Sequence, residues 1–191
     1  MTNPMDELKS RMEGILAKDE MREVIMRLAR GTDRRDKELI RSCYHPDAID
    51  DHGGFCGSGE GFADWVVEAL QIMKTMHTLG QIRIEVEGDV AYAESYCLAH
   101  HVFEGGPDLL PEGMQPGIMD WFMGLRYLDR FERRGSGPWL IANRLCAYEW
   151  AYMVPASHTW ILGESYTWGR TDRRDPSYRG DQCEMAGGHT T

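Results

Sequence analysis

Apolar residues recur every three or four positions near the N-terminus, which is typical of amphipathic helices with one buried face. The first stretch contains Met5, Leu8, Met12, Ile15 and Leu16, and the second contains Met21, Val24, Ile25, Leu28 and Ala29. We expect two helices with a break near Lys18. Asp19 is the expected N-cap of the second helix, and Gly31 its C-terminal stop.

A short helix, a strand and a third helix are predicted next. The short helix covers residues 36–44 and ends before Pro46, because proline cannot continue a helix. A strand over residues 48–52 leads into a glycine-rich loop over residues 53–59. The third helix has a wide apolar stripe formed by Phe62, Trp65, Val66, Ala69, Leu70 and Met73.

From His77 onward the period of the apolar pattern becomes two, which is typical of strands. Long strands are expected over residues 82–87, 90–104, 122–134 and 138–150, with a long loop over residues 105–117 that could be a lid or plain loop. Helices followed by a meander of long strands indicate an α+β fold, with the helices on one face of a curved antiparallel sheet.

The chain of 191 residues is expected to form one main domain over residues 1–150. Residues 151–168 are too apolar for a free tail, so we expect a packed C-terminal extension. Residues 169–191 mix arginines with aspartates and are expected to be disordered.

Composition excludes several classes of function. The net charge of −10 disfavours binding to nucleic acids. No apolar run approaches the ~20 residues needed to span a bilayer, so no membrane partner is expected. The acidic N-terminus does not resemble a secretory signal, and the five scattered cysteines fit reduced thiols; both favour the cytoplasm.

Two residues suggest general base chemistry. Asp33 ends a predicted helix and His77 stands at the entrance to a strand. A neutral imidazole is a base suited to neutral pH, and a carboxylate bonded to one ring nitrogen fixes the tautomer and stabilises the imidazolium. Taken singly, Asp33 could cap the following helix and His77 could be a structural histidine.

Two further histidine clusters were weighed for the site. Adjacent strand residues face opposite ways, so only one of His100 and His101 can face a pocket; His101 shares its face with small residues and is preferred. The run Asp50-Asp51-His52 could suggest a metal site. However, the side chains of adjacent strand residues point in opposite directions, and no spacing typical of metal ligands supports such a site. No metal site is predicted.

Several motifs together resemble the nuclear transport factor 2-like superfamily, and within it the SnoaL-like enzymes. They are the runs over residues 29–36, 45–48, 126–134 and 139–144, and His77 with Gly80. The likeness covers about residues 15 to 150. It implies a cone-shaped curved antiparallel sheet that encloses a pocket closed by three helices.

The resemblance also implies chemistry, because members such as hexachlorocyclohexane dehydrochlorinase, scytalone dehydratase, bile acid 7α-dehydratase and the diarylpropane lyase are lyases that need no cofactor. It selects Asp33 and His77 as the catalytic dyad and Arg144 as a pocket arginine. The expected reaction is elimination of water, halide or a small aldehyde from a small hydrophobic substrate, aromatic or polycyclic. An isomerase or polyketide-type cyclase, and a non-catalytic binding module, are the alternatives.

The expected substrate-binding residues are Arg144, His101, Tyr44, Trp65, Tyr148 and Trp121. Tyr44 or Tyr148 is considered because Thr32 stands where scytalone dehydratase has a tyrosine before its aspartate. Arg144 lies among apolar residues and must find a partner there, so a structural salt bridge is the alternative to substrate binding. A homodimer or homotrimer is expected from the resemblance.

Overall fold

The computed structural model describes residues 3–105, 116–156 and 166–178. Its elements, in chain order, are α1 (Pro4–Arg34), α2 (Lys37–Arg41), β1 (Tyr44–Asp51), β2 (Cys56–Ser58), α3 (Gly59–Ala69), β3 (Met73–Glu87), β4 (Val90–Gly105), β5 (Gly117–Arg133), β6 (Trp139–Pro155) and a 3₁₀ turn (Pro176–Tyr178). The expected α+β fold is confirmed: three helices accompany a curved six-stranded sheet that does not close.

The N-terminal helix is continuous, so the predicted break near Lys18 is wrong. α1 runs for 31 residues, with Asn3 as its N-cap and Arg35 as its left-handed C-cap at φ 51°. Asp19 lies in the helix interior instead of capping a second helix. The apolar residues of the second stretch are buried except Ala29, which is half-buried, whereas those of the first stretch are exposed. Helical spacing alone therefore did not distinguish a packed half from a projecting one.

Strand β1 begins earlier than predicted and contains Pro46. Its register against β6 is irregular between Tyr44 and Ile49. Proline cannot donate to a ladder, and it is tolerated here because it lies in that irregular stretch. The short strand β2, which pairs with the other side of β1, was not predicted.

The strand order of the sheet is β2-β1-β6-β5-β4-β3. β3 to β6 form an antiparallel meander, but β1 pairs parallel to β6, so the expectation of a wholly antiparallel sheet is wrong for that pair. The third helix is also shorter than predicted: it ends at Ala69, and Met73 opens β3.

The main core lies between the helices and the sheet. It includes Leu28 of α1, Phe62 of α3, and Phe131 and Ile141 of the central strands, all nearly or fully buried. Register irregularities in β3 and β6 interrupt the ladders, and such irregularities bend strands. The curvature brings residues from the β1 side and the β3 side of the sheet to one interior cavity.

Residues 166–178 pack against the C-terminal end of α1, where the sequence analysis placed a disordered tail from residue 169. Arg34 Nη1 donates to the carbonyl of Arg170 at 2.8 Å, and the Tyr178 hydroxyl donates to Asp36 at 2.9 Å. The alternation of arginine and aspartate, read as a solvated tail, here makes specific contacts with α1 and α2. Residues 157–165, 179–191 and the possible lid over 106–115 lie outside the described residues.

Candidate active site

Asp33 and His77 are brought together by the packing of α1 on β3. Asp33 lies in the last turn of α1, and His77 lies on β3. The Nδ1 of His77 donates to Asp33 Oδ1 at 2.7 Å, and the His77 backbone amide donates to Oδ2 at 3.1 Å. Thr75 adds a hydroxyl donor at 2.8 Å. A carboxylate accepts only, so Nδ1 carries the ring proton and Nε2 is left as the basic nitrogen.

The environment keeps Asp33 ionised. Burial by itself raises its pKa, but the hydrogen bonds from His77 and Thr75 outweigh burial, and the pKa is lowered overall. The alternative that Asp33 caps the next helix is wrong, because Asp36 fills that place by accepting from the amide of Leu39 at 3.2 Å.

His77 lines an interior cavity of about 210 Å³. The wall comes from α1, α3 and the inner face of the sheet, and its side chains are mostly apolar. Of the predicted site residues, it includes His77, His101, Trp65, Trp121, Arg144 and Tyr148. Asp33 is not in that wall and lies behind His77, where the two residues border a second, outer cleft.

His101, the preferred one of the two adjacent histidines, faces the same cavity. Its ring lies edge-on to both His77 and Trp121, with ring centroids 5.6 Å apart in each case. Within the described residues neither of its ring nitrogens has a hydrogen-bond partner. Burial, with the nearby His77, lowers the pKa of His101 to about 3. His101 is therefore a neutral imidazole with hydrogen-bonding capacity left for a ligand.

Arg144 reaches the cavity wall but is held by an ion pair. Its Nε and Nη2 donate to the two carboxylate oxygens of Asp129 at 2.6 and 2.7 Å, and its guanidinium lies over the Tyr127 ring at 4.1 Å. Both side chains of the pair are buried, at 3% and 0% exposure. The geometry agrees with the structural alternative, since the bidentate pair uses the Nε–Nη2 edge of the guanidinium.

Tyr44 does not belong to the cavity wall, in contrast to the sequence prediction. Its ring is buried below the wall, and its hydroxyl donates to Asp50 Oδ2 at 2.5 Å. The other carboxylate oxygen of Asp50 accepts from Nδ1 of His52, and His52 does line the cavity. Asp50 and His52 were candidates only for a metal site in the sequence, although positions two apart on a strand share a face, which is the signal for their pairing.

No group of three or more His, Cys, Asp or Glu side chains in residues 3–105, 116–156 and 166–178 is arranged to hold a metal ion. The same residues contain no helix with the length and apolar character of a membrane span.

The sequence profile of the SnoaL-like domain matches residues 13–145, well over half of the chain. The chain belongs to the SnoaL-like domain family. The matched range contains Asp33, His77, His101 and Arg144, so the candidate site lies inside the SnoaL-like domain. The resemblance found in the sequence is confirmed by this match. No curated protein sequence matches the chain.

Solved structures share the fold of this SnoaL-like protein. A type 2 hexachlorocyclohexane dehydrochlorinase is 19% identical, with a TM-score of 0.59 over 86% of this chain and 100% of its own. A putative scytalone dehydratase from Novosphingobium aromaticivorans is 18% identical, with a TM-score of 0.57 over 82% and 99%. An NTF2-like protein with a cystatin-like fold from the same organism is 21% identical, with a TM-score of 0.60 over 78% and 92%. These identities support a common fold and no more.

Proposed function

We propose that the protein is a lyase that uses His77, held by Asp33, to remove a proton from a hydrophobic aromatic or polycyclic substrate, with loss of water, halide or a small aldehyde and without a cofactor. The observation that carries the proposal is the 2.7 Å bond between Asp33 and His77 Nδ1, with His77 at the wall of an apolar cavity. The names of two structural neighbours, a dehydrochlorinase and a putative dehydratase, suit this class of reaction.

The chemistry begins at Nε2 of His77, which takes a proton from a carbon next to an acidifying group such as a carbonyl. Asp33 then stabilises the imidazolium that forms, and it does so as an ionised carboxylate because its pKa is lowered. His101 remains neutral and has an N–H to offer to the substrate oxygen on which negative charge develops. Leaving-group departure completes the elimination.

A non-catalytic binding module is less well supported. Such a module would tolerate a dyad with its side chains apart, or a pocket filled by methionine and tryptophan. Here the dyad is hydrogen-bonded, and Trp65, Met73 and Trp121 line an open cavity instead of filling it.

The test is a screen of aromatic and steroid β-hydroxy and β-halo ketones for released water, halide or aldehyde, followed by variants. We expect His77→Gln and Asp33→Asn each to lower kcat/KM by about 10²- to 10⁴-fold, the usual contribution of a general base. Detection of a released product separates a lyase from an isomerase, which would rearrange the substrate without loss of atoms.

His100→Gln is the matched control. His100 also pairs with a carboxylate, that of Asp120 at 2.7 Å, but on the opposite face of β4 from His101 and the cavity. Its removal should leave turnover unchanged. Full turnover in both dyad variants would show that the mechanism is wrong.

A further inference from the structure

A second imidazole and carboxylate pair faces the cavity, and the proposed base step does not use it. His52 directly follows β1, and its ring stacks on Phe62 with centroids 4.4 Å apart. Its Nδ1 donates to Asp50, leaving Nε2 as the ring nitrogen available to a ligand in the cavity. Asp50 is fully buried and also accepts the hydroxyl of Tyr44 at 2.5 Å.

Asp50 is a buried carboxylate whose directly bonded side chains are His52 and Tyr44. A buried carboxylate without a compensating positive charge is costly. The buried guanidinium nearby, that of Arg144, is bonded through two nitrogens to Asp129. Asp50 therefore depends on His52 for compensation, because its other described partner, the Tyr44 hydroxyl, is neutral.

The pair at Asp33 is different in this respect. Asp33 accepts a backbone amide and the hydroxyl of Thr75 in addition to the ring of His77. These neutral donors stabilise its negative charge, so a protonated ring is not required beside it. The two pairs thus differ in their donors: Asp33 has a backbone amide and a hydroxyl beside its histidine, whereas Asp50 has one hydroxyl beside His52.

The fold places these two rings at the same cavity from distant strands. β1 and β3 are separated in the sheet by β6, β5 and β4, and the curvature of the sheet directs both rings inward. The charged or titratable groups near His52 are Asp50 and Tyr44 on β1, Tyr127 on β5, and Arg144 and Tyr148 on β6.

We propose that His52, supported by Asp50, is a second catalytic residue that donates a proton to the oxygen of the leaving group, and that the substrates are accordingly alcohols, namely β-hydroxy carbonyl compounds. The inference rests on the proposed function and adds its substrate class. A hydroxyl leaves readily only when it is protonated, whereas a halide leaves without a proton. A cavity built for halide elimination alone would have no use for an acid in the same cavity as its base.

The step balances within the substrate and the two rings. Nε2 of His77 takes the proton from the carbon next to the carbonyl, and that electron pair forms the new carbon–carbon double bond. The bond from the β-carbon to oxygen breaks, and the oxygen leaves with the proton of His52 Nε2 as water. His77 then loses its proton and His52 regains one by exchange with solvent.

Benzisoxazoles test the acid directly, because a base removes their ring proton and a phenolate oxygen leaves in one step. The unsubstituted compound has a poor leaving group that benefits from an acid, and the 5-nitro compound has a good one. We expect His52→Gln to lower kcat/KM by about 10²-fold or more on the unsubstituted compound and by less than about threefold on the nitro compound. His77→Gln should abolish turnover of both, and His100→Gln should change neither.

A binding measurement provides a readout independent of turnover. 2-Hydroxybenzonitrile, the product of the unsubstituted probe, carries the oxygen that His52 is proposed to contact. Its Kd should rise at least about tenfold in His52→Gln, because that is the effect of losing one hydrogen bond to a charged group. Asp50→Asn keeps the cavity shape and should show the same two effects, which covers the case that His52→Gln does not fold.

The outcomes separate the two proposals. The acid role of His52 is overturned if His52→Gln and Asp50→Asn lower turnover equally on both probes, or if they leave both turnover and the Kd unchanged. If His77→Gln abolishes turnover in the same experiment, the role of His77 as the base is still supported. If the wild-type protein turns over neither probe, or His77→Gln retains turnover, the accessible base is absent and both proposals are wrong.

Discussion

The buried pair of Arg144 and Asp129 allows a quantitative test of whether the pocket arginine is structural. Removing one partner of a buried, bidentate pair leaves an uncompensated charge and costs about 3–5 kcal/mol. Arg144→Met is therefore expected to lower the free energy of unfolding by about that amount. For a chain of this size, about 2–4 °C per kcal/mol gives a drop in Tm of about 6–20 °C.

The same reasoning predicts the stability of the double variant Arg144→Met with Asp129→Leu. Asp129→Leu alone should cost a similar amount, but Arg144→Met with Asp129→Leu replaces the pair by apolar groups of similar volume. Such replacements are often neutral or stabilising, so the double variant should lie near the wild type in urea unfolding. A coupling energy of at least about 2 kcal/mol is expected from the cycle.

Arg126 provides the control, because its ion pairs with Glu94 and Glu149 are on the outer face of the sheet. Arg126→Met should leave the urea midpoint within error of the wild type. The reasoning is refuted if Arg144→Met costs less than about 1 kcal/mol, the range of an exposed pair. Binding of 2-hydroxybenzonitrile to the double variant then shows whether Arg144 also contacts the ligand. If Arg144 is purely structural, the Kd should equal that of the wild type.

Two further predictions concern stability. Burial lowers the pKa of His101 from 6.5 to about 3. Between these pH values the unfolded chain holds a proton on His101 that the folded chain lacks. The free energy of unfolding should therefore fall as the pH drops from 6.5 towards 3, by up to about 1.4 kcal/mol per pH unit. His101→Phe should flatten that slope in urea unfolding at several pH values, and an equal slope in the variant would contradict the assignment. A Cβ at Gly59 would lie 2.5 Å from Cγ of Tyr44, so Gly59→Ala should cost about 1–3 kcal/mol by thermal unfolding. Gly14→Ala, with nothing within 4 Å of the new Cβ, should stabilise α1 by about 0.5–1 kcal/mol, and equal effects at the two sites would refute the packing argument.

The hairpins that join β3 to β6 were predictable because their signals are local, although β3 begins at Met73, nine residues before the predicted strand at residue 82. Alternation and the turn at Gly88, whose φ is 64°, define the β3–β4 hairpin without reference to the remainder of the chain. The parallel pairing of β1 with β6 joins strands that are distant in the sequence, so no turn between them indicates it. The continuity of α1 was also hidden, because the helix passes from packed to exposed surroundings at about Ala17 without a change in its apolar period.

The dyad of Asp33 and His77 was predictable for a different reason, since the resemblance placed both residues although they lie on separate elements. Periodicity alone would have left Asp33 as a helix cap. What neither route supplied was the competing cap: Asp36 accepts from Leu39 and so leaves Asp33 for His77. The fate of Arg144 was likewise open, because its partner Asp129 lies on the neighbouring strand, and that register follows only from the sheet.

Among the histidines that the structure describes, His52, His77 and His100 each bond to an aspartate, so the pairing by itself does not identify a base. His100 shows this, since it bonds to Asp120 and lies flat against Phe122 at 4.2 Å on the outer face of the sheet. The distinguishing property is the direction of the second ring nitrogen, and that direction depends on strand parity and sheet curvature. His52 shares parity with Asp50, which can be read from the sequence, but only the fold shows that its ring stacks on Phe62 and lines the same cavity as His77. The different roles that we propose for the three pairs therefore depend on the shape of the sheet, because the residues that form them are chemically the same.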